Sequence, residues 1–286
     1  MATQSEQAQV LRSLHRRGQP LVLVNVWDAA SARIIEELGF PAMATTSAGI
    51  AWLEGFADGE RISRERMLAG VQRVVRAVRV PVTADLEAAY GTSVEDATDT
   101  AAGAIRAGAV GLNFEDFDTR SDALLDVNAQ TARIEAMRET SLQMGVPLVI
   151  NARTDVFLRN IGDSGAWRVE EAVQRGNRYL EAGADCVFIP GVADERTITT
   201  LVSAIRGPLN VLAAPSSPSV PRLAELGVAR VSVGSAAMAY VLAQLRSVAA
   251  SIQQSESFTF ARERIPHAEL NELLAPSPAR AAPLRD

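Results

Sequence analysis

Along this chain, short runs of apolar, often β-branched residues alternate with longer stretches in which apolar residues recur every three or four positions. The short runs predict strands at Leu21–Val26, Ala42–Thr45, Val80–Ala84, Val110–Phe114, Pro147–Asn151, Cys186–Pro190, Asn210–Ala213 and Arg230–Val233. Each is apolar almost throughout, as parallel strands covered on both faces are. The longer stretches predict helices at Asp28–Leu38, Arg64–Val78, Val94–Ala107, Gln130–Met144, Val169–Ala182, Glu195–Ile205, Pro218–Leu226 and Ser235–Ile252. Gly39, Gly108, Gly145, Gly183 and Gly227 each stand just past a helix, where a left-handed cap favours glycine, and a strand follows within a few residues. Eight strands alternating with helices predict an α/β fold, a (β/α)8 TIM-type barrel. A doubly wound open sheet is the alternative. No Gly-x-Gly-x-x-Gly follows the first strand, which weakens a dinucleotide-binding version of it. Past Gln253 the pattern changes: Gln-Gln-Ser-Glu-Ser predicts a linker, His267–Leu274 an additional short helix, and residues 276–286 a disordered tail. Residues 1–275 are thus expected to form a single barrel domain with a C-terminal helical extension.

Composition narrows the chemistry. The chain has no lysine, and its two histidines, His15 and His267, lie near its two ends. A Schiff-base lysine is excluded, a Ser-His-Asp or Cys-His pair within the central fold is disfavoured, and so is a His-rich zinc site. Carboxylates, arginines, hydroxyls and backbone amides remain, and acids gathered at strand ends suit a hard cation such as Mg²⁺. Hydrophobic content of 48% supports a large core, and a net charge of -6 disfavours nucleic-acid or polybasic membrane roles. There is no apolar run of the ~20 residues that span a bilayer, and the polar, helix-like N-terminal segment lacks the apolar centre of a signal peptide. The lone Cys186 permits no internal disulfide, reads as a buried structural thiol, and fits an expected cytoplasmic location.

In a barrel, catalytic groups belong at the C-terminal ends of the strands. Those ends carry Asn25-Val-Trp-Asp28, Thr45-Thr-Ser-Ala-Gly49, Asp85-Leu-Glu87, Asn113-Phe-Glu-Asp116 and Asn151-Ala-Arg-Thr-Asp155. Asp85 and Glu87 are two apart and share a side wherever the backbone stays extended. Glu115 comes from the neighbouring strand, and these three acids repel one another unless a cation lies among them. The other reading makes them caps or loop acids. Arg153 follows a buried strand directly, and its fork matches a carboxylate or phosphonate, or an ion pair with a site acid. Thr46, Ser47 and Ala48 form a small-residue turn whose amides and hydroxyls suit a carboxylate.

At these residues the chain resembles the isocitrate lyase/phosphoenolpyruvate mutase superfamily. The ordered set Asn25–Arg33, Thr45–Gly49, Ala84–Glu87, Phe114–Asp116 and Asn151–Asp155, with Leu223–Gly234, carries the resemblance over roughly residues 10–275. It implies a (β/α)8 barrel, dependence on Mg²⁺ with Mn²⁺ as a substitute, a pyruvate enolate-like intermediate, and a homodimer or homotetramer formed by swapping the eighth helix. It also implies that Asp85 binds the metal directly, that Asp58, Glu87 and Glu115 hold metal-bound waters, and that Thr46, Ser47 and Ala48 grip a carboxylate. Arg153 matches the family arginine on the substrate.

The departures bear on the reaction. The lyases of this superfamily carry a Lys-(Lys/Arg)-Cys-Gly-His loop after the fourth strand, whereas Phe117–Asp126 has no Lys, Cys or His. Phosphoenolpyruvate mutases carry a Lys-x-Asn-Ser-like loop, which Arg120 and Ser121 imitate in part. The segment reads as a water-excluding lid or an ordinary loop. Decarboxylation of a small 2-oxo acid fits such a loop best, because loss of CO2 needs no base to start it. Arg153, Glu115 and Arg120 are the candidate catalytic residues, and Trp27, Thr46, Ser47, Ala48, Asp85 and Arg153 the candidate substrate contacts. Cleavage of a 2-hydroxy acid needs a base, with a carboxylate, Tyr90 or a metal-bound water as candidates. Phosphonomutase or phosphonopyruvate hydrolase chemistry, with Arg153, Arg120 and the Ser216-Ser217 pair on the phosphonyl group, is the alternative. A non-catalytic barrel that binds Mg²⁺ and a small acid is the second. Trp27, Trp52, Phe117 and Tyr90 are candidates to shape the pocket, although such aromatics more often serve the core.

Overall fold

The computed structural model describes residues 2–255 and 258–275. Its strands are β1 (Leu21–Leu23, resumed as Asn25–Val26), β2 (Met43–Thr45), β3 (Val82–Asp85), β4 (Gly111–Glu115), β5 (Val149–Arg153), β6 (Cys186–Ile189), β7 (Leu209–Leu212) and β8 (Arg230–Ser232). Neighbours in sequence pair in parallel all the way round. The two halves of β1 close the ring: Leu21–Leu23 pairs with β8 and Asn25–Val26 with β2, so the seam falls at Val24. This is the expected barrel, and the open-sheet alternative is excluded.

The helices are α1 (Gln4–Ser13), α2 (Ala29–Glu37), α3 (Ser47–Leu53), α4 (Arg64–Ala77), α5 (Val94–Arg106), α6 (Val127–Gln143), α7 (Gly165–Glu181), α8 (Glu195–Ala204), α9 (Val220–Glu225), α10 (Ala236–Ser255) and α11 (His267–Leu274). Each helix from α1 to α9 starts behind a Ser, Thr or Asp whose side-chain oxygen accepts a first-turn N–H. Those caps fix where each strand-to-helix loop ends, and so where the strand ends project.

Apolar side chains fill the space between strands and helices, with Leu112, Ile134 and Met137 in one cluster and Val187, Ile198 and Val211 in another. The interior of the ring is different: Thr83, Asn113, Asn151, Asn210, Arg230 and Ser232 are all buried. Helix α1 contributes to the barrel floor. A Cβ on Gly111 would lie 2.9 Å from Leu11 Cδ2 and 2.8 Å from the Val149 carbonyl oxygen, so only glycine allows that approach.

Three local expectations are corrected. Thr46–Ala48 is not a free turn but the cap and first residues of α3. The 117–126 segment is not plain loop, since Phe117–Asp118 and Ala123–Leu124 form a small antiparallel ribbon. Helix α10 runs through Ser255, so Gln253–Ser255 of the expected linker are helical, because nothing in that Gln/Ser run breaks a helix. The rest of that linker and the tail 276–286 lie outside the described residues. Helix α11 occupies its expected span. No described helix is long and apolar enough to cross a membrane.

Candidate active site

The C-terminal strand ends surround a cavity of about 160 Å³, whose wall includes Thr46, Ser47, Ala48, Asp58, Asp85 and Arg153. Asp85 ends β3 and is held from both sides. Its Oδ2 accepts the Ser47 amide at 3.0 Å and the Ser47 hydroxyl at 2.8 Å, and its Oδ1 accepts Asn113 Nδ2 at 3.0 Å. Helix α3 therefore directs its first amide at a carboxylate, a favourable place for negative charge. Asn25 closes the seam above Val24: its Nδ2 donates to the Thr45 carbonyl at 2.8 Å, and its Oδ1 accepts the Val233 and Gly234 amides at 3.0 and 2.8 Å.

Arg153 ends β5 on the opposite side. Nε and Nη2 donate to the two oxygens of Asp155 at 2.5 and 2.8 Å, and Nη1 meets Glu115 Oε2 at 2.6 Å. Burial works against this cation, but Glu115 and Asp155 outweigh it and hold the guanidinium well above its ordinary pKa. Burial pushes Glu115 well up; Arg153 draws it down, and Asp155, Glu87 and Asp85 add to the rise.

Glu87 arrives by a route that strand alternation does not describe. The strand stops at Asp85, and Glu87, Ala89 and Tyr90 adopt left-handed φ values of 51°, 71° and 63°. Conformations of that kind in residues with a Cβ are strained and concentrate at functional sites. The buried Arg133 of α6 staples the segment: Nη2 donates to the Ala88 and Gly91 carbonyls, and the guanidinium stacks on Phe114 at 4.6 Å. Glu87 accepts the Glu60 amide at 2.6 Å and the Tyr90 hydroxyl at 3.3 Å. Burial, then Asp58 and Asp85, push its pKa up to about 8. Asp58, on the lip, is raised by desolvation and then by Asp85.

The four expected metal acids thus share one field but are not packed as a cage. Among the described residues no three acids, histidines or cysteines converge on one ion-sized point. The fit is to a hydrated ion: Asp85 and Asp58 face one cavity, all donors are oxygens, and Mg²⁺ needs only one or two direct carboxylates.

Four expected residues do not line the cavity: Glu115 is turned to Arg153, Glu87 to the Glu60 amide and Tyr90, and Arg120 and Trp27 lie elsewhere. Arg120 lies on the ribbon turn, largely exposed, with its Nε 3.2 Å from Asp118 of the same turn, and lines a separate groove beside Glu60 and Arg64. Trp27 packs its Cβ over Gly49 of α3 instead of lining the wall. Sequence reasoning did not assign Asn113, Asn151, Asp155, Arg133 or Arg230 to the site. The signal for the first two was an asparagine, a poor strand former, inside an otherwise apolar strand. Arg230 opens a predicted strand and Arg133 lies within a predicted helix, and neither position by itself tells which way the side chain turns.

The family model for phosphoenolpyruvate phosphomutase matches residues 11–253. An uncharacterised Mycobacterium tuberculosis protein is 32% identical over 262 residues, covering 91% of this chain and 94% of its own. The phosphoenolpyruvate phosphomutase of Streptomyces hygroscopicus is 30% identical over 244 residues (81% of this chain, 75% of its own). An oxaloacetate decarboxylase of Pseudomonas entomophila is 29% identical over 236 residues (79% and 78%). Among solved structures, a Burkholderia cenocepacia J2315 protein assigned as a phosphonomutase superposes with a TM-score of 0.81 at 40% identity, covering 88% of this chain and 99% of that one.

Proposed function

Since the chain belongs to the phosphoenolpyruvate phosphomutase family, within the isocitrate lyase/phosphoenolpyruvate mutase superfamily, we propose that its barrel mouth decarboxylates a small 2-oxo dicarboxylic acid of the oxaloacetate type with the help of Mg²⁺ or Mn²⁺. One observation carries this reading. A single small cavity sets Asp85 and Asp58 against Arg153, while the 117–126 segment brings no Lys, Cys or His to act as acid or base.

Asp85, with Asp58 beside it, would hold the cation, which when bound withdraws electrons from the 2-oxo group. Arg153 binds and orients a substrate carboxylate, sharing donors now used by Glu115 and Asp155. With the Ser47 amide taken by Asp85, the Ala48 amide beside it suits a second carboxylate. The bond between C3 and the departing carboxylate then breaks, its electron pair passes toward the 2-oxo oxygen, and CO2 leaves. A proton returned to C3 gives the monocarboxylic 2-oxo acid. Glu87, its pKa pushed up to about 8 and its Oε1 accepting the Tyr90 hydroxyl, is the candidate source of that proton. The match to an oxaloacetate decarboxylase at 29% identity supports this chemistry. The 40% identity to a protein assigned as a phosphonomutase supports P–C bond chemistry as the second reading.

We extend the proposal to assembly. Helix α10 leaves Tyr240, Val241, Leu242 and Leu245 exposed, an apolar face suited to a second copy of the chain in a dimer or tetramer. Light scattering at micromolar concentration is expected to give at least twice the monomer mass.

The deciding assay measures 2-oxo acid release from oxaloacetate, methylated malates, methylisocitrate and phosphonopyruvate, with Mg²⁺ or with EDTA, against an enzyme-free control. Metal-dependent turnover of oxaloacetate above the control is expected. Turnover of phosphonopyruvate alone replaces this reading with the second, and silence on every substrate removes both.

A further inference from the structure

Arg230 is wholly buried inside the ring, yet among the described residues no carboxylate lies within hydrogen-bond reach of it. Its Nη2 donates to Asn113 Oδ1 at 3.1 Å, and its Nε to Ser232 Oγ at 3.4 Å. Asn151 Nδ2 donates to the same Asn113 Oδ1 at 2.8 Å. Asn113 Nδ2 then donates to Asp85 Oδ1 at 3.0 Å. The order is forced by chemistry. A guanidinium only donates and a carboxylate only accepts, so an amide between them has one satisfying orientation.

A lone buried guanidinium is costly to keep, because burial disfavours its charge and nothing in contact neutralises it. Its Nη1 has no hydrogen-bond partner among the described residues either. An apolar side chain would fill the ring interior without that cost, so the arginine needs a reason beyond packing. Both groups it meets, Ser232 and Asn113, line the cavity, and of the two it is Asn113 that holds the Asp85 carboxylate.

We propose that Arg230 is a positioning residue: it orients the Asn113 amide and, through it, fixes the Asp85 carboxylate on the cavity wall. The inference rests on the reading of Asp85 as the group that meets the cation. It concerns a residue from the strand across the ring, 117 positions away from Asn113.

The test uses the full chain and two readouts. The first is solvent exchange of the Asn113 side-chain NH2, followed by NMR. The second is Mg²⁺ affinity by calorimetry. In Arg230→Met, exchange is expected to accelerate at least tenfold and the Mg²⁺ Kd to rise about tenfold. Adding Arg230→Met to Asn113→Leu should then weaken Mg²⁺ binding no further. Unchanged exchange in a folded Arg230→Met protein, or effects on Kd that add in the double variant, would overturn the proposal. Should Arg230→Met not fold, Arg230→Gln is too short to reach Asn113 and carries the same expectations. Should the unmodified protein bind no Mg²⁺, the metal reading fails, and the exchange measurement alone decides the role of Arg230.

Discussion

Arg153 and Asp155, two residues apart at the exit of β5, face each other through two parallel hydrogen bonds of 2.5 and 2.8 Å. The pair locks the plane of the guanidinium, so Nη1 is the arm left for Glu115, 2.6 Å away. A lysine keeps the charge but cannot make that fork. Arg153→Lys is therefore expected to lower kcat/KM about 100-fold, close to 3 kcal/mol of lost transition-state binding. Steady-state kinetics on the substrate found by the panel check this. A loss below threefold would show that only the charge at this position matters.

Asp85 is expected to set the response to metal. It raises the pKa of both Asp58 and Glu87, so its charge opposes theirs when no cation is present. Asp85→Asn removes that charge but turns one acceptor into an NH2 facing the donors of Ser47 or Asn113. Without metal the two effects oppose each other, and the variant should melt within ~1 kcal/mol of the parent, about 2 °C for a chain of this size. The parent protein should gain about 2.7 kcal/mol with Mg²⁺ at 100 times its Kd, and the variant nothing. Thermal melts with Mg²⁺ and with EDTA measure both. Equal Mg²⁺ shifts in the two proteins would move the metal away from Asp85.

The barrel was legible because its signal is repeated: eight apolar runs, each closed by a capped helix, point to one architecture. The strand-end acids and Arg153 were legible for the same reason, since the fold puts strand ends together. What escaped was whatever depends on direction. Glu87 was expected to follow the alternation of an extended strand, but a left-handed backbone carries it there instead. Arg120 was expected at the mouth, but its Nε pairs with Asp118 two residues back. Arg230 was silent because sequence shows that a strand begins with arginine but not that its side chain turns into the ring.

The strained segment gives a stability prediction. Arg133 is 1% exposed, and its Nη2 donates to two carbonyls flanking the left-handed Ala89 and Tyr90. Arg133→Met preserves much of the volume over Phe114 but leaves those carbonyls without a donor. A loss of about 3 kcal/mol in urea unfolding is expected, since each buried acceptor left unsatisfied costs about 1–3 kcal/mol. Weaker Mg²⁺ binding should accompany it, because Glu87 leads into the same segment. A change within 0.5 kcal/mol, the range of an ordinary surface substitution, would mean that the left-handed turn holds itself.

The barrel floor gives the pH prediction. His15 Nδ1 lies 2.9 Å from the Leu11 carbonyl, and its Nε2 is cut off from solvent with no partner among the described residues. Burial, reinforced by the Arg230 cation, pushes its pKa down to about 4, so the folded protein holds this imidazole neutral where an unfolded chain, with its ordinary value of 6.5, would protonate it. Between these values the unfolded state binds the additional proton. Stability from this group is therefore whole above pH 6.5 and falls as pH drops toward 4. The full difference of about 2.5 units corresponds to about 3 kcal/mol. Other groups titrate in the same range, so the informative quantity is the difference from His15→Leu, which has no such proton to gain. Urea unfolding of the two proteins at intervals from pH 7 to pH 4 should show the unmodified chain losing about 3 kcal/mol relative to the variant. Parallel curves would mean that His15 is protonated in the fold or that the barrel floor opens to water before it titrates.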